Sequence, residues 1–139
     1  MTFSSKVKTE LCKIQSDYCS YLNKAELYGM LLFAKKLNMD IISFTTENKN
    51  ICKRLSYLFA EEFKITSDII THKNSKKNKY TLLIPHKFDR TIVLEKFKFL
   101  MQRDWMFINK SLVQSTKTVS AFLRGTFLFC GTITDPTLD

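Results

Sequence analysis

The alternation of apolar and polar positions predicts five helices and three strands. In FSSKVKTELCKI, residues 3–14, Val7, Leu11 and Ile14 fall on one helical stripe, and Ser4 or Ser5 is the predicted N-cap. NKAELYGMLLFAKKL, residues 23–37, predicts a second helix. Asn23 caps it, with Glu26 three residues on as in a capping box. From Leu27 to Ala34 it has no charged residue, so it is expected to be buried on most sides. DIISFTTE, residues 40–47, is β-branched and aromatic, and predicts a strand. NKNICKRLSYLFAEEF, residues 48–63, predicts a third helix, with Ile51, Leu55, Leu58 and Phe59 on one face and Lys, Arg and Glu on the other.

KITSDIITHK (64–73) and KYTLLIP (79–85) predict two strands joined through the turn residues NSKKN, and Pro85 ends the second. KFDRTIVLEKFKFLMQ (87–102) carries Ile92, Leu94, Phe97 and Leu100 at helical intervals. RDWMFINKSLVQST is less periodic and reads as a linker with a short helical turn. KTVSAFLRGTFLFCG predicts the last helix, and TITDP a strand or turn.

Glycine sharpens this picture. The chain holds three glycines in 139 residues, and Gly29 and Gly125 sit inside two apolar helices. A helical glycine costs about 1 kcal/mol relative to alanine, so a close backbone approach is the expected compensation. The two helices align: AELYGMLLFA over AFLRGTFLFC sets Ala25 on Ala121, Leu27 on Leu123, Gly29 on Gly125, Leu32 on Leu128 and Phe33 on Phe129. Such a repeat suggests a pseudo-twofold pair; chance similarity of two apolar helices is the alternative.

Charge and cysteine content narrow the function classes. A net charge of +9, mostly lysine, permits attraction to nucleic acid or an anionic surface without requiring either. Cys12, Cys19, Cys52 and Cys130 form no C-x-x-C pair, and His72 and His86 lie far from them in sequence. Zinc sites usually show paired short spacings, so buried free thiols in a reducing compartment are expected, with no metal and no cofactor. No segment reaches the ~18 apolar residues of a membrane span, and no signal-peptide apolar region follows the first lysines. The expected compartment is the cytoplasm.

TFSSKVKTELCKI, KAELYGMLLFA, TTENKNICKRLSYLF and AFLRGTFLFCGTITDP, in that order and spacing, resemble the amino-terminal part of the bacterial WhiA family, from Thr2 to Pro136. That region is similar to LAGLIDADG homing endonucleases. The resemblance implies an α+β fold in which two motif helices pack side by side and feed antiparallel sheet arms. On it, residues 1–22 are an N-terminal helical segment and 23–102 a first repeat of order α-β-α-β-β-α. Residues 103–117 are a linker, and 118–139 the start of a second, truncated repeat. The first arm looks shortened. Nearly all of the second arm and the family's carboxy-terminal helix-turn-helix fall outside the resemblance, so the chain is expected to be a fragment or truncated homologue.

The resemblance also bears on activity. The endonucleases hold Mg²⁺ with an acid near the end of each motif helix, because phosphodiester cleavage needs hard oxygen ligands and metal-activated water. Here those positions are Ala34 and Cys130; Asp40 and Asp135 lie beyond the helices and read as turn or capping residues. The implied role is a non-catalytic module of a DNA-binding transcriptional regulator, nucleoid-associated and linked to sporulation, cell division and chromosome segregation. The alternative is a protein-interaction or dimerisation scaffold, whose partner is another protein or a second copy. The candidate DNA contacts are Lys73, Lys76, Lys77 and Lys79 at the hairpin tip; their other reading is a solvated loop that discourages edge pairing. Gly29 and Gly125 are the candidate helix-packing positions. Arg124 either snorkels to the surface, pairs with an acid or contacts a phosphate.

Overall fold

The computed structural model describes residues 2–14, 20–96, 115–133 and 136–137. The expectations for Cys19, Phe97, Leu100, Asp135 and the stretch 103–114 lie outside these residues. The elements in chain order are α1 (Phe3–Leu11), α2 (Ser20–Leu31), β1 (Lys36–Leu37), β2 (Ile42–Thr46), α3 (Lys49–Phe63), β3 (Asp68–His72), β4 (Lys79–Leu83), α4 (Lys87–Lys96) and α5 (Thr116–Cys130).

Local chemistry sets the helix ends. Thr2, not Ser4 or Ser5, caps α1, because its hydroxyl accepts from the Ser5 amide at 3.1 Å. Ser4 is engaged elsewhere: its hydroxyl accepts from the Ile133 amide at 2.6 Å and donates to the Ile133 carbonyl at 3.1 Å. α2 includes Ser20 and stops at Leu31, so Asn23 is a buried residue within the helix rather than its cap. α3 is capped by Asn48, whose side chain accepts from the Asn50 amide at 3.0 Å. It ends at Lys64, which adopts a left-handed φ of 55° and donates its amide to the Ala60 carbonyl. α5 begins with a capping box that the sequence reading missed: Ser115 and Thr118 each accept from the other's amide, at 3.2 and 2.9 Å.

The strands form one antiparallel sheet of order β1-β2-β4-β3. The predicted strand 40–47 is shorter, and it pairs backwards with a two-residue β1 that sequence alone did not suggest. A turn stabilised by Asn38 joins the two; its side-chain oxygen accepts from the Asp40 and Ile41 amides at 2.8 and 2.9 Å. The predicted strand 64–73 also contracts, because Lys64 closes α3.

Register then assigns the faces. Ile42, Phe44, Leu82 and Ile84 share one face, and each is at most 2% exposed. With Leu55, Leu58 and Phe59 of α3 they form the core; Phe44 lies 6.1 Å from the Phe59 ring and 5.6 Å from the Phe129 ring. The opposite face carries Lys36, Thr45, Ile70, His72, Lys79 and Thr81, exposed or half-buried, together with the buried Ser43. Arg90 ties α4 to this layer by donating to the carbonyls of Met39, Ile84 and Pro85 at 2.8–2.9 Å.

Candidate functional site: the paired-helix interface and the basic hairpin

α2 and α5 lie against each other with their glycines at the contact. A Cβ added to Gly29 would collide with the Phe122 carbonyl oxygen and stand 3.1 Å from the Thr126 amide nitrogen. A Cβ added to Gly125 would collide with the Glu26 carbonyl oxygen and stand 3.1 Å from the Met30 amide nitrogen. The relation is reciprocal. Each glycine meets the carbonyl three residues before the other glycine and the amide one residue after it. That is the pattern a local twofold axis between the helices produces. The obstructing atoms are backbone, so they cannot rotate aside.

A buried ionic cluster lies beside this contact. The Glu26 side chain is fully buried. It is held by Arg54 of α3, through Nε to Oε2 and through Nη2 to Oε1 at 2.8 Å, and by Arg124 of α5, through Nε to Oε1 at 2.5 Å. Arg54 Nη1 also donates to the Cys12 and Ile14 carbonyls at 2.9 and 2.6 Å, which docks the end of α1. Burial opposes the charge on Arg54. The hydrogen bond and charge of Glu26 outweigh it, and the guanidinium is held above its ordinary pKa.

Two sequence expectations are therefore corrected. Glu26 is a core carboxylate and no capping-box member. Arg54 does not share the solvated face of α3 with its basic neighbours. Of the three readings of Arg124, the structure shows the acid pair. Glu26 was missed because capping is judged locally, whereas one of its partners lies 98 residues away. The signal that could have found it is an acid at a core position of a helix buried on most sides, which needs a cation.

The helix ends offer no oxygen ligand at the aligned positions. Ala34 follows α2 and packs on the core, and Cys130 closes α5 with its thiol exposed. Asp40 is exposed in the β1–β2 turn. Among the described residues no group of three His, Cys, Asp or Glu side chains converges as a metal site would require. The thiols differ. Cys52 is buried and Cys12 partly so, and burial pushes both up to about 11. At Cys12 the Arg54 charge works against that rise. Cys130 is exposed, contrary to the expectation of buried thiols.

The hairpin places Lys73, Lys76 and Lys77 in the β3–β4 loop and Lys79 at the start of β4, all exposed. Lys77 Nζ is 3.5 Å from Glu47, an exposed pair that holds the side chain only weakly. Lys79 pairs in register with His72, which sets Lys79 on the exposed sheet face. The structure thus sets the lysines on one hairpin and the glycines on a separate helix interface.

Two glycine-bearing helices packed face to face, flanked by an antiparallel sheet, define the LAGLIDADG homing-endonuclease-like class of α+β domain. The solved structures agree. Full-length DUF199/WhiA from Thermatoga maritima superposes with a TM-score of 0.67 at 23% identity, covering 99% of this chain and 42% of that one. The N-terminal LAGLIDADG domain of DUF199/WhiA superposes with a TM-score of 0.63 at 21% identity, covering 98% of this chain and 62% of that one.

In sequence the chain is similar to the probable cell division protein WhiA of Alkaliphilus oremlandii, 33% identical over 98% of this chain and 47% of that protein. The WhiA of Alkaliphilus metalliredigens is 30% identical over the same shares. No family model matches the chain. In sequence and in fold the chain matches WhiA proteins, in the region of their N-terminal LAGLIDADG domain. It spans about half the length of the curated relatives it matches. Among the described residues no helix is long and apolar enough to cross a membrane.

Proposed function

We propose that this chain is a non-catalytic LAGLIDADG-like module of a DNA-binding regulator of cell division, sporulation and chromosome segregation, working at the nucleoid. The observation that carries this reading is the pairing of an intact helix contact with Ala34 and Cys130 at the positions of the endonuclease acids. Without carboxylates at those two positions, Mg²⁺ lacks the hard ligands that the endonuclease acids supply. The frame that presents a sheet to a duplex is kept, and the cutting chemistry is gone.

The duplex lies along the uncovered sheet face and the lysine hairpin. Lys73, Lys76, Lys77 and Lys79 contact phosphates as mobile charges, which gives salt-sensitive binding with little base reading. Duplex binding measured at two salt concentrations tests this. We expect weak affinity that falls steeply with salt and is lost in the K76E/K77E double variant. No binding at low salt would remove DNA contact from this module. Mg²⁺-dependent cutting that disappears on replacing a named acid would remove the non-catalytic assignment. A second reading, a scaffold for a protein partner or a second copy, draws support from Val119 and Leu123, 39% and 56% exposed on the outer side of α5. Self-association in size-exclusion chromatography, lost in L123E, supports it.

A further inference from the structure

One face of α1 and one face of α3 enclose a groove of about 440 Å³, lined by Thr9, Cys12 and Lys13 with Asn50, Lys53, Arg54 and Tyr57. The α3 residues recur at i, i+3, i+4 and i+7, so one helical stripe supplies that wall. Among the described residues three cations and no carboxylate line the groove.

Its floor carries surplus positive charge. The two guanidinium groups of Arg54 and Arg124 share the single carboxylate of Glu26. Arg54 gives four of its five N–H groups to Glu26 and to the Cys12 and Ile14 carbonyls, so it contributes mainly field. The free donor is Lys53, which is exposed and has no ion pair among the described residues. Lys13 stands opposite, tied to Glu10 at 2.9 Å. Burial keeps the Cys12 thiol neutral at ordinary pH, so it adds no repelling charge. At the rim Tyr57 is 52% exposed, with its ring available for stacking.

We propose that the α1–α3 groove binds a free nucleoside monophosphate, with the phosphate on Lys53 over the Arg54 floor and the base against Tyr57. The size fits: small-ligand sites span about 300–1,000 Å³, and this groove is near the lower end. A phosphate alone would leave the Tyr57 side unused, and a duplex is too wide to enter. The assignment is independent of the DNA reading, which rests on the hairpin lysines.

Calorimetry on the full chain, with each of the four ribonucleoside 5′-monophosphates, inorganic phosphate and a 5′-phosphorylated tetranucleotide, tests it. We expect saturable one-to-one binding of at least one mononucleotide, and inorganic phosphate weaker by about tenfold or more. K53E should weaken the mononucleotide by about tenfold or more. K53R should retain binding, Y57A should weaken the nucleotide while leaving phosphate unchanged, and K76E/K77E should have no effect. Lys53 and Tyr57 are exposed, so these variants keep the fold, which circular dichroism checks. The proposal is overturned by no saturable binding of any mononucleotide, by K53E binding as wild type, or by phosphate binding as tightly as nucleotide. Tighter binding of the tetranucleotide than of any mononucleotide would overturn the free-nucleotide assignment in favour of a strand end.

Discussion

α2 and α5 align residue on residue and meet through the same glycine geometry, yet their outer sides differ. Leu27 of α2 is fully buried, and its counterpart Leu123 of α5 is 56% exposed. Phe122, the counterpart of Glu26, is apolar where Glu26 is charged. The shared contact sets how close the two backbones come, and nothing more. What each helix buries on its far side depends on what lies over it. α2 has α3 and the apolar face of the sheet. α5 has α1 and the Phe44 edge of the core. Equal motifs therefore do not imply equal stability contributions.

Substitutions can break or sharpen that comparison. The largest effect should come from E26A, which leaves Arg54 and Arg124 buried without their shared carboxylate. Breaking a buried ion pair from one side costs about 3–5 kcal/mol, and urea unfolding measures the loss. The apolar counterpart F122A should cost about as much, but by leaving a cavity, so refilling with Leu should rescue it in part. Next, L27A should destabilise by about 2–5 kcal/mol.

G29A and G125A should each destabilise by about 1–3 kcal/mol although alanine is the better helix former, because the obstructing atoms are backbone. Similar losses at both would show that the contact is symmetric; a loss at only one would break the pairing. Alkaline pH should have a smaller effect. Cys12 and Cys52 have folded pKa values raised to about 11 from an ordinary 9.0. Their neutral thiols therefore contribute stability that is full below about pH 9 and is lost as pH rises through 11. Urea midpoints at pH 8 and 10.5 should separate, and less so in C12A/C52A. In peptide mapping after brief alkylation at pH 8, Cys130 should react well before Cys12 and Cys52. The smallest effect, within about 0.5 kcal/mol, should be that of L123A. A loss as large as that of L27A would show that α5 is covered in solution.

Much of the architecture could be read from the sequence. α3 was legible because Ile51, Leu55, Leu58 and Phe59 repeat at helical spacing. The hairpin was legible because NSKKN separates two β-rich runs. The alignment of Gly29 with Gly125 stood out because glycine is scarce and costly inside a helix. The failures at Glu26 and Arg54 share one cause, which is distance along the chain. Asn23 and Glu26 satisfy a local capping rule, but tertiary packing extends α2 past Asn23 and gives Glu26 two arginines from other helices. β1 is two residues long and exists only through its pairing with β2. Among the basic residues, periodicity put Arg54 with its solvated neighbours, and only the fold shows it beneath α1.

The reciprocal glycine contact also constrains the order of folding. Its partners are separated by most of the chain, as the 98-residue span from Glu26 to Arg124 measures. Contacts of such long sequence separation form late, because the loop entropy must be met before they return anything. During synthesis α2 leaves the ribosome with its glycine face uncovered, and that face stays so until α5 has been made. The interface that anchors the finished domain is therefore its weakest point while it is being made, the interval in which a chaperone has the most surface to hold.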